Sequence, residues 1–583
     1  MSFKADDIVF GRVLRDPLSR VDFAVGTTYS LDLDTFISLP FSLGFLEEPD
    51  EVMLRSTTYI FSALKLCSDN LAVFCNFSDI KVPPGARKVY YALMEESVFP
   101  VNAEKGRDLV NFHPKVWVIR QTGPDGTFVR VIVMSRNLTR DGLLDCACVL
   151  TGKVRPGKPA SAKKQAKHKP LCDFLKYLSG KAKGSSKKQT RIKHLIDDIY
   201  TIEEFDTEGS QYDDYDFLPM GIPGYSGKEA LEQMSKAFRI AVVSPFLDDK
   251  VMGRLGAVRD RMLLSSEFSI TQGTVDAFGR ENIYTMNPQM TSGDTGECVD
   301  LHAKMYFTST YQKDRNTREN HLFLGSTNAT MGGFDRNVEF LVRMRFAPSV
   351  MSWAIFCDYF KNDPDKRFCL MAGVPDKATD KLLEYRRTQD LRKAIASIQG
   401  AKIEPEGEGL YRVTLSVSED CPKALFAPLM RPDLKTGPFS GLSFTGLALT
   451  DLSEFYTIEY EDVSRVIKVD TEGMPPGRDE ALCRKAIPRS EFYDCISFLL
   501  SESKTAYVLE HEALKRDLQG KTDQLDGTVF AAVYENLLRR AYESPESVAD
   551  IKAFVESLPG DVVPEEFRAL FQSITAATKS FRR

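Results

Sequence analysis

Apolar positions fall into strand-length runs that recur in the same order twice. Residues 71–77 (LAVFCNF) form one such run, followed through a helical spacing by NFHPKVWVIR and then FVRVIVMSRNLTRDG. The plan returns after residue 228, where a helical spacing precedes FRIAVVSPFLDD, DLHAKMYFTST and HLFLGSTNATMGG. Each stretch reads strand, helix, strand opening on H-x-K, strand ending in S-x-N. This weak internal repeat predicts two mixed α/β halves, residues 1–150 and 221–375, separated by an insertion at 151–220. Beyond residue 376 the pattern changes. Leu410–Val417 (LYRVTLSV) and residues 454–469 predict strands between Pro- and Gly-rich turns, so residues 376–504 are expected to form a small β-rich accessory domain. The spacing of Val529, Val533, Leu537 and Leu538 predicts helices in a C-terminal region at 505–583.

Length and composition fit this plan, because 583 residues exceed one ordinary core and suggest two to four domains. A hydrophobic content of 43% with 27% charged residues is that of a soluble globular protein. The first ten residues carry acids where an export signal needs a basic stretch, and the apolar run at 36–46 is short of the ~20 residues that cross a bilayer. Eleven cysteines without a framework of spacings suit a reducing cytoplasm, and the C-x-C of Cys146 and Cys148 reads as two buried strand thiols.

Charge is segregated. Residues 152–194 hold fourteen Lys or Arg and one acid, Asp173, a segment charge of +13; with −6 for the whole chain, the remainder is −19. This composition reads as a long exposed insertion with one short helix near residues 171–178. Its Lys163, Lys164, Lys167, Lys187 and Lys188 are candidate nucleic-acid contacts. The next stretch, residues 197–216, has nine acids and no base, and could pair with the basic run or compete with phosphates for it.

The candidate chemistry lies in the repeat. Two of only six histidines open an H-x-K tripeptide, His113-Pro114-Lys115 and His302-Ala303-Lys304. Residues i and i+2 of a strand share a face, so His and Lys would project together. Ser135-Arg136-Asn137 ends the following strand, with Asn137 22 residues after Lys115; Ser326-Thr327-Asn328 does so in the second half, with Asn328 24 residues after Lys304. Lysine would supply positive charge, Ser and Asn further hydrogen bonds, and a neutral imidazole a nucleophile or proton carrier if a carboxylate fixes its tautomer.

The paired H-x-K and S-x-N motifs resemble the phospholipase D superfamily. Asn137 and Asn328, with no Asp after the Lys, resemble its tyrosyl-DNA phosphodiesterase and nuclease branches more than its lipases. The position of the family's Asp is taken by Arg120 in the first half and Ser309 in the second. Gly332, Gly333, Asn337 and Glu339 continue the family pattern in the second half, with Glu339 placed to orient a histidine ring. In the first half Asp145 lies near the equivalent place, while the closest alignment sets Ala147 opposite Glu339. The resemblance covers residues 25–345. It implies two phospholipase D-like α/β/α halves with pseudo-symmetry, His113 as nucleophile and His302 as general acid and base, with the reverse assignment open.

That implies a cytoplasmic, metal-independent and cofactor-free phosphodiesterase acting on nucleic acid, DNA favoured, through a phosphohistidine. The likeness to large bacterial members suggests a defence or DNA-processing role beside a helicase or translocase bound through the C-terminal region. Two other classes compete: a phospholipase or phosphatidyl transferase whose basic run meets anionic lipid, and a scaffold that binds nucleic acid without turnover.

Overall fold

The computed structural model describes residues 13–16, 18–44, 57–83, 88–105, 108–139, 143–206, 212–287, 300–312, 317–374, 380–418, 421–438, 442–461, 463–479, 481–482 and 563–580, and positions 537, 552 and 555. Strands β1 (Arg20–Thr28), β2 (Leu71–Asn76), β3 (Val98–Val101), β4 (Val116–Gly123), β5 (Gly126–Met134), β6 (Ala147–Lys153) and β7 (Phe205–Asp206) form a seven-stranded sheet in the order β7-β6-β5-β4-β1-β2-β3. A second sheet of eight contains β8 (Asp214–Met220), β9 (Arg239–Val243), β10 (Asp260–Leu264), β11 (Ile283–Met286), β12 (Met305–Gln312), β13 (Thr317–Gly325), β14 (Glu339–Phe346) and β15 (Phe368–Leu370). Its order is β8-β14-β13-β12-β9-β10-β11-β15. The chain is thus mixed α/β. In each sheet antiparallel neighbours give way to parallel ones at a single strand, β1 in the first and β9 in the second.

Both faces of the central strands are apolar, so the sheets are covered on both sides. Val116 and Val118 of β4 share one core with Met305 and Phe307 of β12 and with Phe340 and Val342 of β14, which puts the sheets face to face. Trp117 and Ile119 point the other way, into a core with Leu64 and Cys67 of the helix Thr57–Asn70. Trp117 is therefore a core residue. Ile240 and Tyr306 do the same in the second sheet, against Val251 and Leu255 of the helix Asp249–Leu255. Cys146 and Cys148 are buried free thiols, and among the described residues no helix is long and apolar enough to cross a membrane.

The basic segment is not the exposed insertion that its composition suggests. It folds into two helices, α1 (Ala162–Lys181) and α2 (Ser186–Ile199). Apolar residues recur at helical spacing in each, Leu171, Phe174, Leu175 and Leu178, then Ile192, Leu195, Ile196 and Ile199, and all are buried in the core between the sheets. Lysine occupies the outer faces, which is why bulk composition hid the amphipathic pattern. The acidic run meets the basic one: Lys167 bonds Glu204 at 3.0 Å and Asp214 at 2.6 Å, and Lys164 pairs with Glu204.

The β-rich region is joined to the first half. Strands Leu425–Pro428, Phe455–Tyr460 and Val463–Lys468 share a sheet with Leu31–Asp32 and Ile80–Lys81, through Val466 opposite Ile80. Leu410–Val417 is a strand as its sequence predicts, in a separate four-stranded sheet. Of the C-terminal region, Leu537 is buried and Glu565–Ser580 is helical, while Val529, Val533 and Leu538 lie outside the described residues.

A buried ion pair fixes this junction. Arg478 lies 2.7 Å from Glu95, with the side chains 6% and 2% exposed, and Glu95 also accepts from the Ser453 hydroxyl at 2.8 Å and the Glu454 amide at 3.0 Å. Removing one partner leaves an uncompensated buried charge. Arg478→Ala is expected to lose about 3–5 kcal/mol in denaturant unfolding, and Glu95→Gln in the same background to recover part of it; an unchanged midpoint for Arg478→Ala would contradict this packing.

Candidate active site

The two H-x-K tripeptides sit just before β4 and β12, at the same end of their sheets as the turns that follow β1 and β9. The chain before each histidine crosses to the other sheet. The His113 amide donates to Val338 O at 2.9 Å and the Val338 amide to Asn111 O at 2.9 Å. In mirror fashion the Leu144 amide donates to Asp300 O at 2.8 Å and the His302 amide to Leu144 O at 3.0 Å. Each histidine is therefore placed beside the acid of the opposite half.

The side chains complete the exchange. His113 Nδ1 lies 2.9 Å from Glu339 Oε2, and His302 Nδ1 lies 2.8 Å from Asp145 Oδ1. Each acid is held in turn by the serine of its own S-x-N motif: Ser135 Oγ donates to Asp145 Oδ1 at 2.6 Å, and Ser326 Oγ donates to Glu339 Oε2. Those serines also accept the Cys146 amide at 2.9 Å and the Phe340 amide at 3.0 Å. The sequence left open what orients the first histidine. A single half cannot answer, since Glu339 is 226 residues from His113 and Asp145 is 157 from His302.

The remaining motif residues line the same place. Lys115 is buried and donates from Nζ to His113 O at 3.0 Å, and Lys304, also buried, donates to His302 O. Asn337 steadies Glu339 through Nδ2 to Oε1 at 3.3 Å. Asn137 Oδ1 accepts the Ser30 amide at 3.4 Å, whereas Asn328 Oδ1 and Asp145 Oδ2 are buried without a hydrogen-bond partner. A Cβ on Gly333 would lie 2.6 Å from Asn328 O, so glycine there lets the chain close against the Asn328 turn. Arg120 and Ser309 take no part in the histidine sites: Arg120 bonds Asp198 at 2.8 Å and pairs with Asp22, and Ser309 bonds Asn320 at 2.8 Å.

Several contributors carry no motif. Tyr29, just after β1, has its ring 5.1 Å from that of His113, and burial raises its phenol to about 12, so it stays protonated. Thr28 and Ser244, at or just past the ends of β1 and β9, accept the amides that follow the two asparagines, Leu138 and Ala329, each at 2.9 Å. Their signal was positional only, a small hydroxyl residue at the close of each first strand.

Of the five candidate phosphate lysines, none is beside the histidines. Lys188 is buried and donates to Leu71 O at 2.8 Å, at the start of β2, and Lys187 bonds Asp69 at 2.7 Å. Lys164 and Lys167 are paired as above, and Lys163 is exposed. Arg120 marks how far away α2 lies: it bonds Asp198 of α2 yet is five residues along β4 from Lys115, about 16 Å at strand rise. α2 and the first turns of α1 thus lie towards the far end of the sheets, while α1 runs on until Phe174 meets Phe340, the residue after Glu339, with ring centroids 4.9 Å apart.

Electrostatics follows from this burial. His113 is pushed down to about 4, by burial and by Lys115 and Lys304 against the opposing Glu339. His302 is likewise lowered to about 4, by burial, Lys304 and Lys115 against Asp145. Burial and Lys304 hold Lys115 well below its ordinary value. Burial opposes ionisation of Asp145, but His302, Lys304 and Ser135 outweigh it and lower its pKa. Both rings are thus neutral near pH 7, with Nδ1–H facing a carboxylate and Nε2 left as a lone pair.

No family model matches the chain, and neither does any curated protein. Among solved structures it is similar to yeast tyrosyl-DNA phosphodiesterase, with 9% identity over 60% of this chain and 88% of that one, at a TM-score of 0.35. It is also similar to phosphatidylserine synthase of Haemophilus influenzae, with 8% identity over 66% and 91%, at 0.34. Polyphosphate kinase of Porphyromonas gingivalis has 12% identity over 66% and 51%, at 0.32.

Histidines that are neutral when folded but free to protonate when unfolded make stability depend on pH. Between about pH 6.5 and 4 the unfolded chain binds protons that His113 and His302 do not, so stability falls as pH is lowered through that window. His168 and His321, also lowered to about 4, share in the slope. Urea unfolding at pH 7 and pH 5 should show this loss, and it should shrink in His113→Asn/His302→Asn. A pH-independent midpoint, or an undiminished slope in the double variant, would rule out neutral imidazoles.

Proposed function

We propose that this chain is a phosphodiesterase of the phospholipase D superfamily, built of two pseudo-symmetric halves, and that it cleaves nucleic acid through a covalent phosphohistidine without a metal. The observation that carries this reading is the crossed pairing of His113 with Glu339 and His302 with Asp145. An Nδ1–H held by a carboxylate presents Nε2 as an in-line nucleophile on one side and as a proton carrier on the other.

A phosphodiester between Lys115 and Lys304 has its anionic oxygens neutralised by the two ammonium groups. The same anion offsets their charge at the rings and raises His302 above about 4, so it can carry the proton that the leaving oxygen needs. His113 Nε2 attacks phosphorus, the P–O bond breaks, and the leaving oxygen takes the His302 proton. Neutral His302 then removes a proton from water, whose oxygen displaces His113 and restores both rings. The two lysines supply the positive charge that a metal ion would bring elsewhere. DNA is the favoured substrate, and a bacterial defence or DNA-processing setting with a helicase or translocase on the C-terminal region is part of the same proposal.

Single-stranded DNA, duplex DNA, RNA and phosphatidylcholine, each assayed in EDTA, test this. Nucleic-acid cleavage should persist in chelator. His302→Ala is expected to slow it by about 10²–10⁴-fold, and His113→Ala to abolish both turnover and the acid-labile phosphoryl label otherwise found on residue 113. Turnover of lipid alone would replace the nuclease reading by phosphatidyl transfer, and binding without turnover would replace it by a scaffold.

A further inference from the structure

Two aromatic side chains stand exposed at the His302 end of the second sheet. Phe246 is 47% exposed and Phe268 46%, and their rings meet edge to face with centroids 5.6 Å apart at 61°. Large apolar rings left in solvent need a reason when they cluster. Their backbone anchors fix where they are. Phe246 follows β9, whose Val243 pairs with Met305, the residue after Lys304. The Ser244 hydroxyl accepts the Ala329 amide at 2.9 Å, and the Asp248 amide donates to Ala329 O at 3.1 Å, so Phe246 lies between two residues bound to the one after Asn328. Phe268 follows Ser266, whose hydroxyl bonds Asp300 at 3.3 Å, two residues before His302. Both rings therefore flank the His302, Lys304 and Asn328 half of the site.

The surroundings select the occupant. Asp248, Glu267 and Asp300 flank the two rings in the chain and through Ser266, so the patch is acidic; Asp248 Oδ1 accepts the Lys250 amide at 2.8 Å and Asp300 Oδ1 the Leu301 amide at 2.7 Å, which leaves their second oxygens and Glu267 as acceptors for a ligand. An acyl chain offers nothing to those acceptors. A nucleobase offers a flat π-face for the rings and amino or imino hydrogens for the carboxylates. We infer that Phe246 and Phe268 form a stacking subsite for an unpaired nucleobase adjoining the scissile phosphate on the His302 side. This rests on the phosphodiesterase reading above and narrows its substrate to a nucleotide whose base is free of a duplex.

Paired substrates read the subsite directly: p-nitrophenyl phosphodiesters of deoxyguanosine, as 3′ and 5′ esters, against the same esters of an abasic deoxyribose. The wild-type protein should favour the base-bearing ester of one polarity by about tenfold in kcat/KM, the order expected of one stacked base. Phe246→Ala/Phe268→Ala should bring that ratio towards one, and Phe246→Trp should keep it. A wild-type ratio near one, or a ratio that survives in the double alanine variant, overturns the subsite. Binding is measured alongside, with a single-stranded oligonucleotide carrying 2-aminopurine, whose fluorescence should be quenched by the wild type and not by the double variant. If no ester is cleaved but that difference in quenching is seen, the catalytic reading falls and the subsite stands; without quenching, the subsite falls. Loss of phosphatidylcholine turnover in the double variant, with oligonucleotide binding unchanged, assigns the rings to an acyl chain and overturns the inference.

Discussion

Everything at the histidine end of the sheets depends on each imidazole being held by a carboxylate from the other half. A histidine near water is free to rotate and to exchange tautomers; a buried Nδ1–H on a carboxylate is neither. Here the anchors are exchanged, Glu339 for His113 and Asp145 for His302, and each anchor is fixed by a serine that in turn accepts the amide of the residue after the anchor. The exchange makes the shared core between the sheets a condition of the chemistry. If the sheets separate, both rings lose their orientation at once.

Burying two lysines beside two histidines looks costly, since like charges in a low dielectric repel and each ammonium loses water. The structure offsets this only in part, with carbonyl contacts to His113 and His302 and with the two carboxylates nearby. The remaining imbalance is positive and points at whatever enters. Asn328 Oδ1 and Asp145 Oδ2, buried without partners, extend the same unfinished state to hydrogen bonding. A site organised before its ligand arrives spends less on reorganisation during reaction.

Much of this was legible in the sequence. The two H-x-K and S-x-N pairs fixed eight residues of the site, because strand periodicity and motif spacing are local properties of the chain. The partner of His113 was not, since no local pattern reports a contact across 226 residues. Tyr29, Thr28 and Ser244 escaped for a related reason: they matter through their place at strand ends. In the basic segment the helix expected near residues 171–178 lies within α1, but lysine dominates the composition and hides how far Leu171, Phe174, Leu175 and Leu178 bury that helix. The segment's lysines then went to Glu204, Asp214, Asp69 and Leu71 O, an outcome set by tertiary neighbours.

The place of that helical pair bears on how the crossed site is kept. α1 and α2 insert their apolar faces between the sheets, from the end where Lys167 reaches Asp214 of β8 and where Arg120 of β4 and Arg191 tie α2 to the first sheet, up to Phe174, whose ring meets that of Phe340 beside Glu339. The histidine end is closed by backbone bonds from Asn111 to Val338 and from Leu144 to Asp300. The two sheets are thus held together by an amphipathic wedge along the surfaces they share and by the strand exchange at the histidine end. The positive charge of the insertion is met within the fold only in part: Arg155, Lys164 and Lys167 pair with Glu203, Glu204 and Asp214 of the acidic run at 197–216, while Lys158, Lys163, Lys183 and Lys193 stay exposed.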